Sequence, residues 1–266
     1  MDLAYIVSGL SVGVLVGLTG VGGGSLMTPL LVFLFGFAPA TAVGTDLLFA
    51  AITKSGGVAV HHRSHGSVEW KIVGLLCMGS LPGAIAVIVG LEYFDVPRKE
   101  LATVMGNSLG VALILTSLSL FFRNRLKQAG LETESHQPGR FHHLQAPATI
   151  FVGLGLGVLV TLSSVGAGAL GTVALFFLYP RLPTLRIVGT DLAHAIPLTA
   201  VAGLGHLHMG NVDFVLLGSL LIGSLPGIWV GSHLSAKIPE YFLRPLLASV
   251  LMLIGLKFVW PMFARW

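Results

Sequence analysis

Long stretches without a charged side chain are the feature that most restricts the fold of this chain. No Asp, Glu, Lys or Arg occurs in five runs, which are residues 3–45, 72–91, 101–122, 141–180 and 214–236. A helix needs about 20 mostly apolar residues to cross the hydrocarbon core of a bilayer. The runs are long enough, and they lack the alternation of a membrane β-strand. They predict an all-α polytopic membrane protein.

The composition agrees with this class. Apolar residues make up 54% of the chain and charged residues only 10%, whereas soluble domains have about 25% charged residues. The net charge of +4 comes from residues between the apolar runs and forms no basic stripe, so we expect no nucleic-acid partner. The only cysteine, Cys77, excludes an intramolecular disulfide.

Four short motifs occur once in each half of the chain and in the same order. Recurrence of this kind indicates an internal repeat. The matching pairs are VGGG at 21–24 with VGAG at 165–168, VGTD at 43–46 with VGTD at 188–191, HxxxGxVE at 62–69 with HxxxGxVD at 206–213, and GSLPG at 79–83 with GSLPG at 223–227. We therefore predict an N-terminal repeat over 1–122 and a C-terminal repeat over 144–266.

Each repeat is predicted to contain five helical elements. The first two in each are short and are separated by glycines, so they form a Gly-interrupted or re-entrant pair. The predicted bounds are 3–19, 25–36, 43–60, 70–91 and 99–122 in the first repeat, and 147–163, 168–179, 187–205, 212–233 and 241–260 in the second.

The polar segment 123–143 between the repeats is predicted to be a flexible linker. It carries several basic residues, and loops rich in Lys and Arg lie on the cytoplasmic side of a membrane. An odd number of elements per half would place the second half in the opposite orientation, which gives inverted repeats. A short pair that returns to its starting side leads instead to parallel repeats, and the sequence leaves this alternative open.

The two Gly-interrupted segments are the candidate substrate site. Transporters with inverted repeats bind substrate near the membrane midplane, where broken helices expose backbone groups. Helix N-termini carry partial positive charge and attract anions. Close helix packing through small residues is the alternative explanation. The predicted binding residues here are Gly22, Gly23, Gly24, Ser25, Ser164, Gly166 and Gly168, with Thr28, Ser163 and Thr172 as further hydroxyl donors.

Asp46 and Asp191 stand in identical VGTD motifs. In one interpretation Thr45 and Thr190 are helix N-caps and each Asp lies in the first helical turn. In the other, the carboxylates lie near the apolar layer and carry protons during transport, with His194 as a relay, while the two threonines contact substrate. Both interpretations remain open at this level.

Lys54 is the only basic residue inside the third predicted element before its histidine-rich end. Its side chain either extends along the helix to the membrane surface or provides a counter-charge for an anion or for Asp46. We predict the second role. The second repeat has no lysine in the matching region, which contains Pro197, Leu198 and Thr199.

Two further sets of residues have competing explanations. Pro82 and Pro226 interrupt helical hydrogen bonding and act either as hinges or as fixed kinks. Histidine clusters can bind metal, but those here are predicted to lie at solvated helix ends, so we expect no metal site and no cofactor. The clustered histidines are His61, His62, His65, His206 and His208.

The stretch GLTGVGGGSLMTPLLVFLFGFAPATAVGTDLL, the later SLPGA and the weaker second copy resemble the TauE/SafE sulfite exporter family of bacterial membrane proteins. The resemblance implies a multi-pass protein of the bacterial inner membrane that exports sulfite, an organosulfonate or a related small anion. Family members often have Ser after Gly-Thr, where this chain has Asp46 and Asp191, and the second copy lacks a proline matching Pro29. The added carboxylates suggest proton coupling.

The predicted function is therefore secondary transport of a small anion that binds between the repeats near the midplane. A divalent-metal transporter using Asp46, Asp191 and His194 is the alternative. We predict that the protein is not an enzyme, because no H-E-x-x-H, G-x-S-x-G or nucleotide-binding G-x-x-x-x-G-K-[ST] motif occurs. The expected partners are the substrate anion, protons, the lipid bilayer and, through Gly-rich helices, a second copy in a homodimer.

Overall fold

A computed structural model of the protein describes residues 3–19, 24–65, 68–94, 96–136, 142–235 and 240–263. Within these ranges all regular structure is helical. The helices are α1 (Leu3–Thr19), α2 (Gly24–Phe33), α3 (Pro39–His65), α4 (Trp70–Tyr93), α5 (Arg98–His136), α6 (His142–Ser163), α7 (Leu170–Leu178), α8 (Thr184–His208), α9 (Phe214–Ser235) and α10 (Glu240–Phe263).

Five of the described helices are long and apolar enough to cross a membrane. The qualifying segments are Trp70–Tyr93, Arg98–Arg123, Leu144–Ser163, Thr184–His208 and Phe214–Gly231. Shorter apolar segments cover Leu3–Leu15 in α1 and Pro245–Trp260 in α10. These findings confirm the prediction of an all-α membrane protein with several spans.

The polar segment after the fifth element differs from its prediction. Helix α5 continues to His136, so residues 123–136 are helical and do not form a flexible linker. These residues include Arg, Leu, Lys, Gln and Glu, which favour helix, and the first proline after Arg123 is Pro138. The change in polarity at Arg123 therefore marks the end of the apolar part of the helix and not the end of the helix itself.

Helices α2 and α7 are too short to cross a bilayer. They contain 10 and 9 residues, or about 15 Å at 1.5 Å per residue, roughly half of the hydrocarbon thickness. The chain before α7 turns through positive φ angles at Ser164 (58°), Gly166 (119°) and Gly168 (124°). Glycine adopts this conformation at little cost, so the glycines explain why the helix stops and restarts here.

Two helix pairs, α1 with α9 and α4 with α6, pack closely along glycine surfaces. The close approaches of the first pair join Leu10 to Gly227 and Val14 to Gly231, so these helices run in the same direction. In the second pair, Leu76 contacts Gly153 and Ser80 contacts Gly157, so α4 and α6 also run in the same direction. Small residues allow membrane helices to approach in this way, and the GSLPG glycines supply part of both surfaces.

Two other pairs, α3 with α8 and α5 with α10, run antiparallel. Leu48 approaches Gly203, whereas Gly44, earlier in α3, approaches His206, later in α8. In the second pair Ser117 Oγ donates a 2.6 Å hydrogen bond to the carbonyl oxygen of Ala248, while the earlier residue Gly110 lies against the later residue Gly255. The α3–α8 pair places the two VGTD motifs inside the protein.

The two GSLPG prolines do not end their helices. Pro82 lies inside α4 and Pro226 inside α9. The glycines on either side of each proline pack against α6 or α1. Each proline therefore stands between two glycines of a helix–helix contact while its own side chain is exposed, and its proposed action as a hinge stays a prediction.

Candidate substrate site between α3 and α8

Four ionisable side chains of α3 and α8 are buried close to the contact between these two helices. Asp46, Asp191 and His194 have no exposed surface, and Lys54 is 7% exposed. A buried charge costs several kcal/mol unless other groups compensate it, and within a membrane such residues usually serve function. Their partners therefore indicate what the cluster can do.

Asp46 is held by the short helix α2. The hydroxyl group of Thr28 donates a hydrogen bond to Oδ2 of Asp46. Lys54 attracts the same carboxylate, and the Ser164 hydroxyl also faces it. Oδ1 of Asp46 and Oγ of Ser164 form no other hydrogen bond among the described residues, so the Ser164 hydroxyl is free to donate either to the Asp46 carboxylate or to a further group.

Asp191 has a matching partner on the short helix α7. Oγ1 of Thr172 is hydrogen-bonded to Oδ2 of Asp191 at 2.8 Å. The same hydroxyl group also contacts the carbonyl oxygen of Gly168, one turn earlier in the chain. Oδ1 of Asp191, like Oδ1 of Asp46, has no partner within the described ranges.

Lys54 connects the two halves of the cluster. Its ammonium group donates a 2.9 Å hydrogen bond to the carbonyl oxygen of Ala167, which lies in the glycine-rich turn before α7. It also attracts both Asp46 and Asp191. The side chain thus points into the protein and not toward the membrane surface, and one cation faces two carboxylates.

His194 lies one turn after Asp191 and contacts α4. Its Nε2 atom is 2.8 Å from Oγ of Ser80, the serine of the first GSLPG motif. Its Nδ1 atom has no partner in the described part of the chain. We considered this motif only for its proline, so the sequence analysis missed Ser80 as a cluster residue.

Gly171 is a second residue that the sequence analysis missed. A Cβ atom at this position would overlap Oδ1 of Asp191, so the carboxylate occupies the space that a side chain would take. The available signal was the position of Gly171 directly after the GAGAL sequence, within a helix that otherwise has bulky apolar residues.

The N-cap interpretation of Thr45 and Thr190 is wrong. Helix α3 begins at Pro39 and α8 at Thr184, so both threonines lie within their helices. Proline favours the start of a helix, and Pro39 and Pro183 start these two helices earlier than predicted. The Thr45 hydroxyl accepts a 3.1 Å hydrogen bond from the backbone N–H of Asp213, and that of Thr190 accepts one of 3.0 Å from Glu69.

The remaining predicted binding residues are divided between two places. Ser164, Gly166 and Gly168 form the turn that holds Ala167, next to Lys54. On the other side Gly24 and Ser25 start α2, but the Ser25 side chain lies outside the described residues, as do Gly22 and Gly23 entirely. The turn of the second half therefore reaches the cluster, and that of the first half stays a prediction.

The clustered histidines do not join this site where the structure describes them. His206 is buried and its Nε2 is 2.9 Å from the carbonyl oxygen of Thr161, whereas His208 is exposed and 3.5 Å from Glu92. His61, His62 and His65 lie in α3, and their side chains are outside the described residues. No group of three metal-ligating side chains is present among the residues with described positions.

Two lateral cavities lie away from the cluster. One is lined by α5, α6 and α7 and the other by α1, α2 and α10, with mostly aliphatic and aromatic side chains. Neither is lined by Asp46, Lys54, Asp191 or His194. The four side chains of the cluster are thus separate from both of these cavities.

Comparison with known proteins agrees with the resemblance noted in the sequence. The model of the family described as "Sulfite exporter TauE/SafE" matches residues 5–258. "Probable membrane transporter protein YjnA" of Bacillus subtilis is 38% identical, over 97% of this chain and all of the relative. "Probable membrane transporter protein YdhB" of the same organism is 28% identical, over 91% of this chain and 96% of the relative.

A more distant relative, a "Probable membrane transporter protein" of Xylella fastidiosa, is 23% identical over 98% of this chain and 96% of its own length. No solved structure matches the chain. The relatives and the family are named as membrane transporters, and none of these names describes an enzyme. The chain therefore belongs to the TauE/SafE sulfite exporter family of membrane transporters.

Proposed function

We propose that this protein is a secondary transporter that exports a small anion, such as sulfite or an organosulfonate, through a site between two inverted repeats. The observation that carries this proposal is the position of Lys54. Its ammonium group reaches from α3 to the Ala167 carbonyl in the glycine-rich turn of the other half. An anion bound there would contact both halves and so could be exposed to either side in turn.

The groups around Lys54 suit a small oxyanion. Ser164 offers a hydroxyl group without a partner among the described residues, and the turn from Ser164 to Gly168 precedes the N-terminus of α7, where the helix dipole is positive. Gly166 and Gly168 keep side chains away from this turn. In this proposal Asp46, Asp191 and His194 exchange protons during transport.

The helix directions support the inverted arrangement of the repeats. Under the sequence match, α3 corresponds to α8 and α5 to α10, and both corresponding pairs run antiparallel. A two-fold axis in the membrane plane reverses corresponding helices, whereas an axis along the membrane normal would leave them parallel. The α1–α2 and α6–α7 pairs are also compatible with re-entrant hairpins, because α2 and α7 are half-span helices. A re-entrant pair leaves three further helices in each half, and because three is an odd number the repeats stay inverted, in contrast to the parallel repeats expected from the sequence for this case.

The proposed orientation places the polar end of α5 and residues 137–143 in the cytoplasm of a bacterial cell, with the protein in the inner membrane and assembled as a homodimer. Ala38→Cys and Arg181→Cys, each in a Cys77→Ala background, test the repeat orientation by reaction with a membrane-impermeant maleimide. These residues lie before α3 and α8 respectively. Inverted repeats require labelling from opposite sides of the membrane, and labelling from one side would contradict them.

Ligand binding tests the proposed substrate class. Purified protein in detergent is heated with sulfite, sulfate, sulfoacetate, isethionate or taurine, and separately with zinc or manganese. A ligand at one hundred times its Kd stabilises the folded state by about 2.7 kcal/mol. We expect stabilisation by a sulfur oxyanion that is lost in Lys54→Met and retained in Lys257→Met, whose lysine lies over Phe33 beside a lateral cavity. Stabilisation by metal alone would favour the metal-transporter alternative.

A further inference from the structure

We infer that the closed cluster contains one proton, on Asp191, and takes up a second proton when a substrate anion replaces Asp46 as the counter-ion of Lys54. This inference rests on the proposed function for its second step. It leads to electroneutral transport of one proton with each monovalent anion.

The first step follows from the number of charges. Among the side chains that the structure describes, Lys54 is the one cation that attracts both Asp46 and Asp191. Two ionised carboxylates and one ammonium group would leave a net negative charge in a region from which solvent is excluded, which is strongly unfavourable. A single proton on one carboxyl group removes this charge.

The remaining neighbours do not supply another positive charge. Helices α2 and α7, which hold the two carboxyl groups, contain no titratable side chain. From α4 the cluster receives Ser80, and Cys77 packs near Ala193 of α8. His194 would need acceptors for two N–H groups if it were charged, and its Nδ1 has none among the described residues, so we take it as neutral.

The hydrogen bonds of Thr172 indicate which carboxyl group carries the proton. Its hydroxyl group contacts both the Gly168 carbonyl oxygen and Oδ2 of Asp191, but a hydroxyl has one proton to donate. A carbonyl oxygen can only accept, and threonine commonly donates to the carbonyl one turn earlier in a helix. Oδ2 of Asp191 then faces a lone pair, and it needs its own proton to form the 2.8 Å bond.

The second step follows when an anion binds. A monovalent anion beside Lys54 and Ser164 would displace Asp46 from the ammonium group, and Asp46 would then be an uncompensated buried carboxylate. Uptake of one proton by Asp46 neutralises it. The resting cluster (Lys54 positive, Asp46 negative, Asp191 neutral) and the loaded cluster (Lys54 positive, anion negative, both aspartic acids neutral) each have zero net charge.

This scheme has a directional consequence. Because anion and proton move together, the membrane potential does not drive transport, and the proton gradient acts with the anion gradient. Export then depends on the substrate's own outward gradient, and acidification of the outer side slows export. A transporter of the anion alone would instead export faster at a more negative inner potential.

Infrared spectroscopy of the full-length protein tests the resting state without any substrate. We expect the carbonyl band of a protonated carboxylic acid at neutral pH, its loss in Asp191→Asn, which leaves Lys54 balanced by Asp46, and its retention in the control Asp213→Asn. Thr172→Val should shift the band without removing it, which provides a second test if Asp191→Asn does not fold. Absence of the band in the native protein, or a band that shifts in Thr28→Val and not in Thr172→Val, would overturn the inference.

Proteoliposomes test the coupling with isethionate and hydrogen sulfite, two monovalent anions, with protein-free vesicles to correct for leakage. An internal pH dye should record one proton per anion, at a rate that does not change when potassium and valinomycin set the membrane potential. Anion transport that follows the potential and moves no proton overturns this inference but leaves the proposed function intact. If the protein transports neither isethionate nor hydrogen sulfite but does transport a metal ion, the proposed function is overturned. The infrared result would still decide whether Asp191 is protonated in the resting state.

Discussion

Asp46 and Asp191 stand in the same VGTD sequence and are equally buried, yet their surroundings differ. Each carboxyl group is hydrogen-bonded to a threonine of a half-span helix, Thr28 or Thr172. Asp191 lies over Gly171, whereas the residue that matches this glycine in the first half is the buried Met27.

The two other ionisable members of the cluster, Lys54 and His194, have no ionisable equivalent in the opposite half. The position that matches Lys54 is Thr199, whose hydroxyl bonds to the carbonyl oxygen of Ala195 in its own helix. The position that matches His194 is the buried Phe49. The comparison teaches that the two halves share the framework that holds a carboxyl group, while the ionisable groups around it differ: Lys54 occurs only in the first half and His194 only in the second.

Replacement of Lys54 by Met should have the largest effect. It leaves Asp46 buried without its cation, and breaking a buried ion pair costs about 3–5 kcal/mol. We expect a large fall in the thermal stability of the purified protein and loss of anion transport. Lys257→Met is the matched control, and it should retain both properties.

A second substitution shows which carboxyl group Lys54 balances. If Asp191 is already neutral, Asp46→Asn should restore more stability to Lys54→Met than Asp191→Asn does. If Asp46→Asn and Asp191→Asn restored the stability of Lys54→Met equally, Lys54 would stabilise both carboxylates alike. The two halves would then not differ in the charge of their aspartates. The double-mutant comparison measures this coupling directly.

Removal of the two threonine hydroxyl groups should have unequal effects. A hydrogen bond to a charged group contributes about 1.5–3 kcal/mol and one between neutral groups about 1 kcal/mol. Thr28→Val should therefore reduce stability more than Thr172→Val, since we assign the charge to Asp46. Both variants are compared by unfolding in detergent, with Thr53→Val, whose hydroxyl bonds to its own helix, as a control. A larger loss in Thr172→Val would reverse the assignment.

Gly171→Ala should lower transport more than stability. The added methyl group forces the Asp191 carboxyl group to move, and because this group is the end of a side chain we expect a cost of about 1 kcal/mol, at the low end for overpacking. Gly155→Ala is the control, because nothing lies within 4 Å of a Cβ there. Unchanged transport and stability in Gly171→Ala would show that the close contact is unimportant.

The sequence predicted the helices better than it predicted the contacts between them. The apolar runs located ten elements, because the length of an apolar segment reflects the thickness of the bilayer. The paired VGTD motifs indicated Asp46 and Asp191 because a buried charge is rare in such a sequence. Ser80, Gly171 and the bonds from Thr45 and Thr190 to the other half could not be predicted, since they depend on which helices become neighbours and on their relative rotation.

The smallest predicted effects concern Glu69 and Asp213, another matched pair at the two ends of the α3–α8 crossing. The Glu69 carboxylate pairs with Arg186 across the halves, and both side chains are partly exposed, at 32% and 51%. Asp213 instead accepts hydrogen bonds from the N–H groups of Val215 and Leu216 and so caps α9.

Asp213→Ala should cost about 1 kcal/mol through loss of the cap, and Glu69→Gln less than about 1 kcal/mol, because water screens an exposed ion pair. Salt separates the two causes: 1 M potassium chloride should remove the effect of Glu69→Gln and leave that of Asp213→Ala. Since Glu69, unlike Asp213, pairs with an opposite charge in the other half, Glu69→Gln should also alter the rate at which that end opens, measured as the rate of maleimide labelling of Arg181→Cys. If Arg181→Cys were labelled at the same rate with and without Glu69→Gln, the Glu69–Arg186 pair would not control opening at that end. The functional difference between the halves would then lie in the buried cluster alone.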